Sequence, residues 1–358
     1  MKENKMVQKS GDNSNQYQIE NYYEGVSGAE IEIIITEVRN IITEENKLLL
    51  ENMKIVAAET AQQRLNNYTE VLIPRLVKSE LLTAFSEPAV QVLFKSSEKT
   101  AICTERKTDY EMLSELIIHR INTKEDYTIS AAISKAINEV NNISEQAMMT
   151  LTLLFSITTY TPSTGDIREG FKTLDDLYGH LLEFFNLPTD DNWRENLEIV
   201  NALRIIPIGK SKTLEDFLFD SLEGYSLLGF EKDNEALKKA IEKLNEVGLS
   251  DEILVPSDLD PNYVRLEISK ESSIDKLRIV NNDSEEIKSV ELNSSQRKVL
   301  HDIFNEYNNI KTVMNWWNDN ITKFSFQITA IGRVLACTNA VRIDNSLPNI
   351  IIDTNNNQ

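Results

Sequence analysis

From Ile31 onward, apolar residues return at three- and four-residue intervals: Ile31, Ile34, Ile35, Val38, Ile41, Ile42, Leu48, Leu49 and Val56. That spacing puts a wide apolar stripe on one side of an α-helix. Ser27 stands where a cap would, with Glu30 three positions later, the spacing of a capping box. Pro74 is the first residue that breaks a helix, so the spacing predicts one reaching about residue 72. A helix of about 40 residues is roughly 60 Å long. Such a rod packs against neighbours or against a partner copy. A reading with two helices and a break near Thr43-Glu44-Glu45 uses the same residues.

The helical period continues through most of the chain. "LVKSELLTAFSEPAVQVLFKSSEKTAI" predicts two short helices, the second opened by Ser86 as cap with Pro88 in its first turn. "DYEMLSELIIHRINTKED" predicts another. "YTISAAISKAINEVNNISEQAMMTLTLLFSITTY" predicts a helical hairpin turning at Asn141-Asn142. "TPSTGDIREG" (161–170) collects loop formers and reads as a boundary. Beyond it, "TLDDLYGHLLEFFNL", "WRENLEIVNALRII", "TLEDFLFDSLEGYSLLGF" and "NEALKKAIEKLNEVGL" read as helical. Residues 251–293 mix short β-type runs such as "YVRLEIS" and "KLRIV" with turns. "SSQRKVLHDIFNEYNN" and "IKTVMNWWNDNI" return to helix, "KFSFQIT" reads as a strand and "AIGRVLACTNAVRI" as the last helix. The expected fold is mainly α: a helical N-terminal layer (29–160), an α-rich C-terminal part (161–345) with a small β insertion near 251–293, and a tail (346–358). No internal repeat is read. Residues 1–28 are polar, but Tyr17, Ile19, Asn21 and Tyr23 alternate as in a short edge strand, which would seek a partner. A disordered tail accounts for the same residues.

Composition narrows the functions. The formal net charge of −20 repels phosphate backbones and anionic lipid, so nucleic acid is not an expected partner. "EALKKAIEKLNE" alternates Lys with Glu and reads as a solvated helix face. The longest apolar run, "AMMTLTLLFSITTY" (147–160), is shorter than the roughly 20 residues of a membrane span. No apolar leader follows Met1. Cys103 and Cys337 are expected to be reduced and buried. A cytoplasmic protein, away from the membrane, is expected.

No set of residues identifies a reaction. "RIIPIGKS" (204–211) ends like a phosphate-binding loop, but Arg204 occupies the position of its first glycine and Pro207 removes a backbone donor. His119, His180 and His301 are not at metal-ligand spacing. The acids Asp175, Asp176, Asp190, Asp191, Asp258, Asp260 and Glu267 are abundant but dispersed. Glu267 and Lys270, three apart, would face opposite sides of a strand, whereas a nuclease-type metal core needs its acid and Lys on one side. Cofactors and metals are therefore expected to be none. Trp316 and Trp317 carry large areas suited to burial or to an interface. Thr329 can cap the last helix, Gly332 allows another element to approach closely, and Arg333 and Arg342 form a weak basic face. The strand and helix here resemble the end of a winged-helix module.

Two segments together resemble an uncharacterised bacterial family. "GDNSNQYQ" followed by "GVSGAEIEIIITEV" is similar to that family's Gly-Asp-Asn-Ser beginning. "ITAIGRVLACTN" resembles its Thr-x-x-Gly-x-x-Leu-Ala-x-x-Asn ending, on Thr329, Gly332, Leu335, Ala336 and Asn339. The resemblance implies no catalytic residues; similar front ends on defence and mobile-element proteins imply an antiviral-defence setting. The expected function is a non-enzymatic homo-oligomeric interaction protein, a sensor or scaffold, with Tyr17, Ile19, Tyr22, Tyr23, Trp316 and Trp317 as interaction residues. A metal-dependent hydrolase or nuclease with scattered acids is the first alternative. A nucleic-acid-binding regulator using the C-terminal segment is the second.

Overall fold

The structure, a computed structural model, describes residues 28–123, 126–246, 248–269 and 290–350. The fold is mainly α with two small sheets, as the periodicity predicts. The chain divides into two compact units, Met1–Thr60 and Ala61–Gln358. Helix α1 (Gly28–Lys78) supplies all the described residues of the first unit and continues into the second. It runs without a break at Thr43-Glu44-Glu45 and carries Pro74 inside its last turns. It ends where Glu80 takes a left-handed conformation (φ 56°), with Glu80 N donating to Val77 O and Leu81 N to Leu76 O, a Schellman closure.

In the second unit the core begins on α1 itself, at Tyr68, Leu72 and Leu76, which recur every four residues and are fully buried. Helices α2 (Pro88–Ile102), α3 (Lys107–Asn122), α4 (Tyr127–Glu139) and α5 (Glu145–Thr159) follow, and Tyr68 reaches α2 through a hydrogen bond to Ser97 and α3 through a ring contact with Tyr110. Helix α2 begins at Pro88, but Glu87 is its cap residue and Ser86 bonds elsewhere, to Thr83 O. The hairpin turn falls at Val140–Asn142, as the Asn pair predicts. Helix α5 is buried on every side from Ala147 to Ile157. It is the long apolar run too short for a membrane. Among the described residues, no helix is long and apolar enough to cross one.

Helices α6 (Ile167–Leu182), α7 (Asn192–Ile199), α8 (Leu214–Ser221) and α9 (Glu235–Glu246) follow. Two strands interrupt them that the sequence pattern does not separate from helix. Strand β1 (Leu203–Ile206) lies in a run read above as helical. The break is Asn201 (φ 56°): its N–H reaches Glu198 O, and Ala202 N reaches Leu197 O. Asn tolerates this left-handed cap better than other non-glycine residues. Strand β2 (Leu227–Glu231) replaces the glycine-containing end of the predicted α8 segment. The β insertion provides β3 (Leu254–Pro256), β4 (Tyr263–Leu266) and β5 (Val290–Glu291), in the order β3-β4-β2-β5, with every pair antiparallel. The "KLRIV" run lies outside the described residues.

Helices α10 (Ser294–Phe304) and α11 (Asn308–Asn320), strand β6 (Ser325–Ile328) and α12 (Ala330–Ile343) follow among the described residues. Strand β6 pairs with β1, Leu203 opposite Ile328. Helix α12 packs on α3, α4 and α5. The terminal helix is thus part of the N-terminal helical layer. One continuous cluster of buried residues runs from Tyr68 to Ala340.

The residues of the C-terminal motif have structural work. Thr329 Oγ1 accepts from Gly332 N, capping α12, and donates to Asn201 O at 2.7 Å. A Cβ on Gly332 would sit 2.0 Å from Ala202 O, so only glycine lets the helix approach the start of β1. Asn339 is buried; it donates to Thr152 Oγ1 on α5 (2.9 Å) and accepts from Arg342. Gly332→Ala is therefore expected to lower the free energy of unfolding by about 1–3 kcal/mol through overpacking, and Thr329→Ala by about 1 kcal/mol through loss of the cap. Urea denaturation measures both.

Candidate interaction surface

The side chains of Glu32–Thr60 are all exposed. Twelve of them are large and apolar, from Ile33 to Val56. Their order has a period that the sequence reading above does not register. The adjacent pairs Ile34-Ile35, Ile41-Ile42, Leu48-Leu49 and Ile55-Val56 recur every seven residues, four times in succession. The stretch reads IITEVRN, IITEENK, LLLENMK, IVAAETA. The next pair would fall on Gln62-Gln63, and the repeat stops there, where the helix enters the second unit.

A seven-residue repeat has 3.5 residues per turn, about 103° per residue. On that geometry the pairs form two parallel ridges. Between them, about 51° from each, runs the line Val38, Glu45, Asn52, Glu59. Outside the first ridge lies Glu37, Glu44, Glu51; outside the second lies Arg39, Asn46, Met53. A face repeating at 3.5 keeps its direction along another helix that supercoils with it; one repeating at 3.6 suits a globular core. Ile is a modest helix former, because its β-branch restricts χ1, but the Glu, Lys, Leu and Ala residues that share the stretch are strong formers and support the helix. Burial of its ridges would add about 1.5–3 kcal/mol for each large side chain covered.

The other residues singled out above are placed as follows. Tyr17, Ile19, Tyr22 and Tyr23, with the expected cap Ser27, lie outside the described residues. Trp316 and Trp317 are buried, 7% and 1% exposed. Their indole N–H groups donate to Pro188 O and Lys212 O, and their rings pack on Trp193, Phe217 and Phe326. Of burial and interface, these side chains take burial. Cys337 is buried, but Cys103 is exposed, against expectation: it caps α2 at its open C-terminal end. Gly209 takes φ 125°, and Ser211 N and Oγ two residues on both donate to Phe324 O, so the phosphate-loop look-alike is an anchor for the chain leading into β6.

The acids are distributed among separate structural tasks. Asp175 accepts from the amides of Asn309 and Ile310 at the start of α11. Asp258 lies 4.0 Å from Arg168, and Asp260 accepts from Asn262 N and Gln296. Glu267 is exposed beyond β4. Asp190 accepts from Asn192 N, and Asp191 pairs with Arg194. Among the described residues, no group of three or more His, Cys, Asp or Glu side chains could hold a metal ion. A cleft of about 640 Å³ is lined by Tyr160, Ser163, Asp176, His180 and Asp344 among others; it holds His180 and Asp176 but none of Asp258, Asp260 and Glu267. On the C-terminal basic face, Arg342 is engaged by Glu111 (3.1 Å) and Arg333 donates to Ile328 O.

The fold and the exposed repeat define a mainly helical protein carrying a heptad-patterned helical arm. A family model matches residues 33–350, and the chain belongs to that family. The match takes in the whole seven-residue repeat and the Thr329–Asn339 motif; the Gly11-Asp12-Asn13-Ser14 motif precedes it. No curated protein and no solved structure matches the chain.

His119 is 5% exposed, and burial pulls its pKa down to about 4. Asn349 Nδ2 lies 2.8 Å from its Nε2 and Thr338 Oγ1 lies 3.5 Å from its Nδ1, contacts that suit the neutral ring. The unfolded chain protonates this side chain near pH 6.5, the folded chain only near 4. Its stabilising contribution is therefore complete above pH 6.5 and is lost as the pH falls toward 4, by up to about 3 kcal/mol. His119→Gln is expected to unfold with a correspondingly flatter dependence over this range, measured by urea titration at each pH.

Proposed function

We propose that the protein is a non-enzymatic interaction protein, a sensor or scaffold, that self-associates through the first unit's stretch of α1. The observation carrying this reading is the exposed apolar repeat from Ile34 to Val56. A helix needs seven-residue periodicity only where it runs beside another helix over several turns. Among the described residues no other segment bears a matching repeat, whereas a second copy supplies one with the same length and spacing. A lipid surface suits it less: Glu32, Glu37, Glu44, Glu45, Glu51 and Glu59 outnumber Arg39, Lys47 and Lys54 on the same stretch. A cytoplasmic location belongs to this reading, and the antiviral-defence setting rests on the Gly11–Ser14 front end alone.

The double substitution Ile41→Asp, Leu48→Asp tests the reading. The side chains it alters are exposed within their own chain, so the urea midpoint of the second unit should stay within error of wild type. The wild-type chain should sediment above its monomer mass of 40.9 kDa and the variant at that mass. A wild-type chain that remains monomeric at tens of micromolar contradicts self-association.

A further inference from the structure

The repeat has two ridges where a two-stranded coiled coil needs one seam. In a dimer the apolar positions lie close to one line and face a single partner. Here Ile34, Ile41, Leu48 and Ile55 stand about 103° around the helix from Ile35, Ile42, Leu49 and Val56. One neighbouring helix cannot cover both ridges. Resting on the self-association reading, we infer that each copy of α1 receives two neighbours at once, its first ridge against the second ridge of the next copy, in a closed parallel bundle of three or more chains.

Charge decides which ridge meets which. The first ridge is bordered by Glu37, Glu44 and Glu51, one in each of three successive repeats. Packing first ridge on first ridge would set one acidic line beside another. Packing it on a second ridge sets Glu37, Glu44 and Glu51 beside Arg39, Asn46 and Met53, with no acid in the opposing line. Contacts that join two different surfaces are head-to-tail, and they end in a ring when the rotation closes. The line between the ridges then faces the bundle axis. It holds Val38, Glu45, Asn52 and Glu59; a polar Asn in such a position fixes register and number of strands at a cost in stability, and the Glu45 and Glu59 carboxylates brought together there cost the bundle more.

Complementation between ridge variants of the full chain tests the arrangement. One variant carries Ile41→Asp and Leu48→Asp, removing the first ridge; the other carries Ile42→Asp and Leu49→Asp, removing the second. Wild type should sediment at three or more chain masses. Each variant alone should be monomeric, because every contact uses one ridge of each kind. Their equimolar mixture should form a 1:1 dimer and go no further, since each member keeps one intact ridge of the opposite kind. A dimeric wild type overturns the two-neighbour bundle and leaves self-association standing. So does either variant that dimerises alone, which would mean like ridges pair. A mixture that stays monomeric overturns the head-to-tail contact. A monomeric wild type overturns both readings.

Discussion

The first unit consists, in its described part, of one helix whose apolar pairs at 34–35, 41–42, 48–49 and 55–56 are all exposed. Burying a side chain of this size is worth about 1.5–3 kcal/mol, so eight of them in register form a large stabilisation that the described residues leave unused. Most helical stability in proteins comes from packing of an apolar face, and this stretch leaves its face uncovered within its own chain. Its period limits the choice, because 3.5 residues per turn matches another helix over a length of four repeats.

The second unit is organised differently. Helix Ala330–Ile343 packs there among Lys107–Asn122, Tyr127–Glu139 and Glu145–Thr159. Thr329, Gly332 and Asn339 hold it there by a cap, a close backbone approach and a buried hydrogen-bond network. A motif that looks like a signature of function is therefore a signature of packing. Along α1 the spacing changes: the heptad ends before Gln62-Gln63, and Tyr68, Leu72 and Leu76 take up the four-residue spacing of a globular core.

Most of the helices were legible from periodicity because each buries one face, as Ile167–Leu182 does through Ile167, Phe171, Leu174, Tyr178 and Leu181. The strand Leu203–Ile206 was not: "NALRII" is apolar at both helical and strand spacing, and the deciding feature is the left-handed Asn201. Trp316 and Trp317 illustrate a different limit. A Trp pair is equally suited to a core and to an interface, and only the positions of Pro188 O and Lys212 O, both distant in sequence, assign it to the core. The seven-residue repeat was fully present in the sequence. It was masked because a list of three- and four-residue intervals fits 3.5 and 3.6 residues per turn alike over a few turns; the identity of pairs exactly one heptad apart separates them.

Amide hydrogen exchange of the full chain at two concentrations bears most directly on the arm. If copies of the helix cover one another, amides of residues 34–56 exchange slowly in concentrated solution and quickly after dilution, while those of the 330–343 helix are slow in both. Rapid exchange of residues 34–56 at every concentration, or protection there that dilution does not change, would contradict the account.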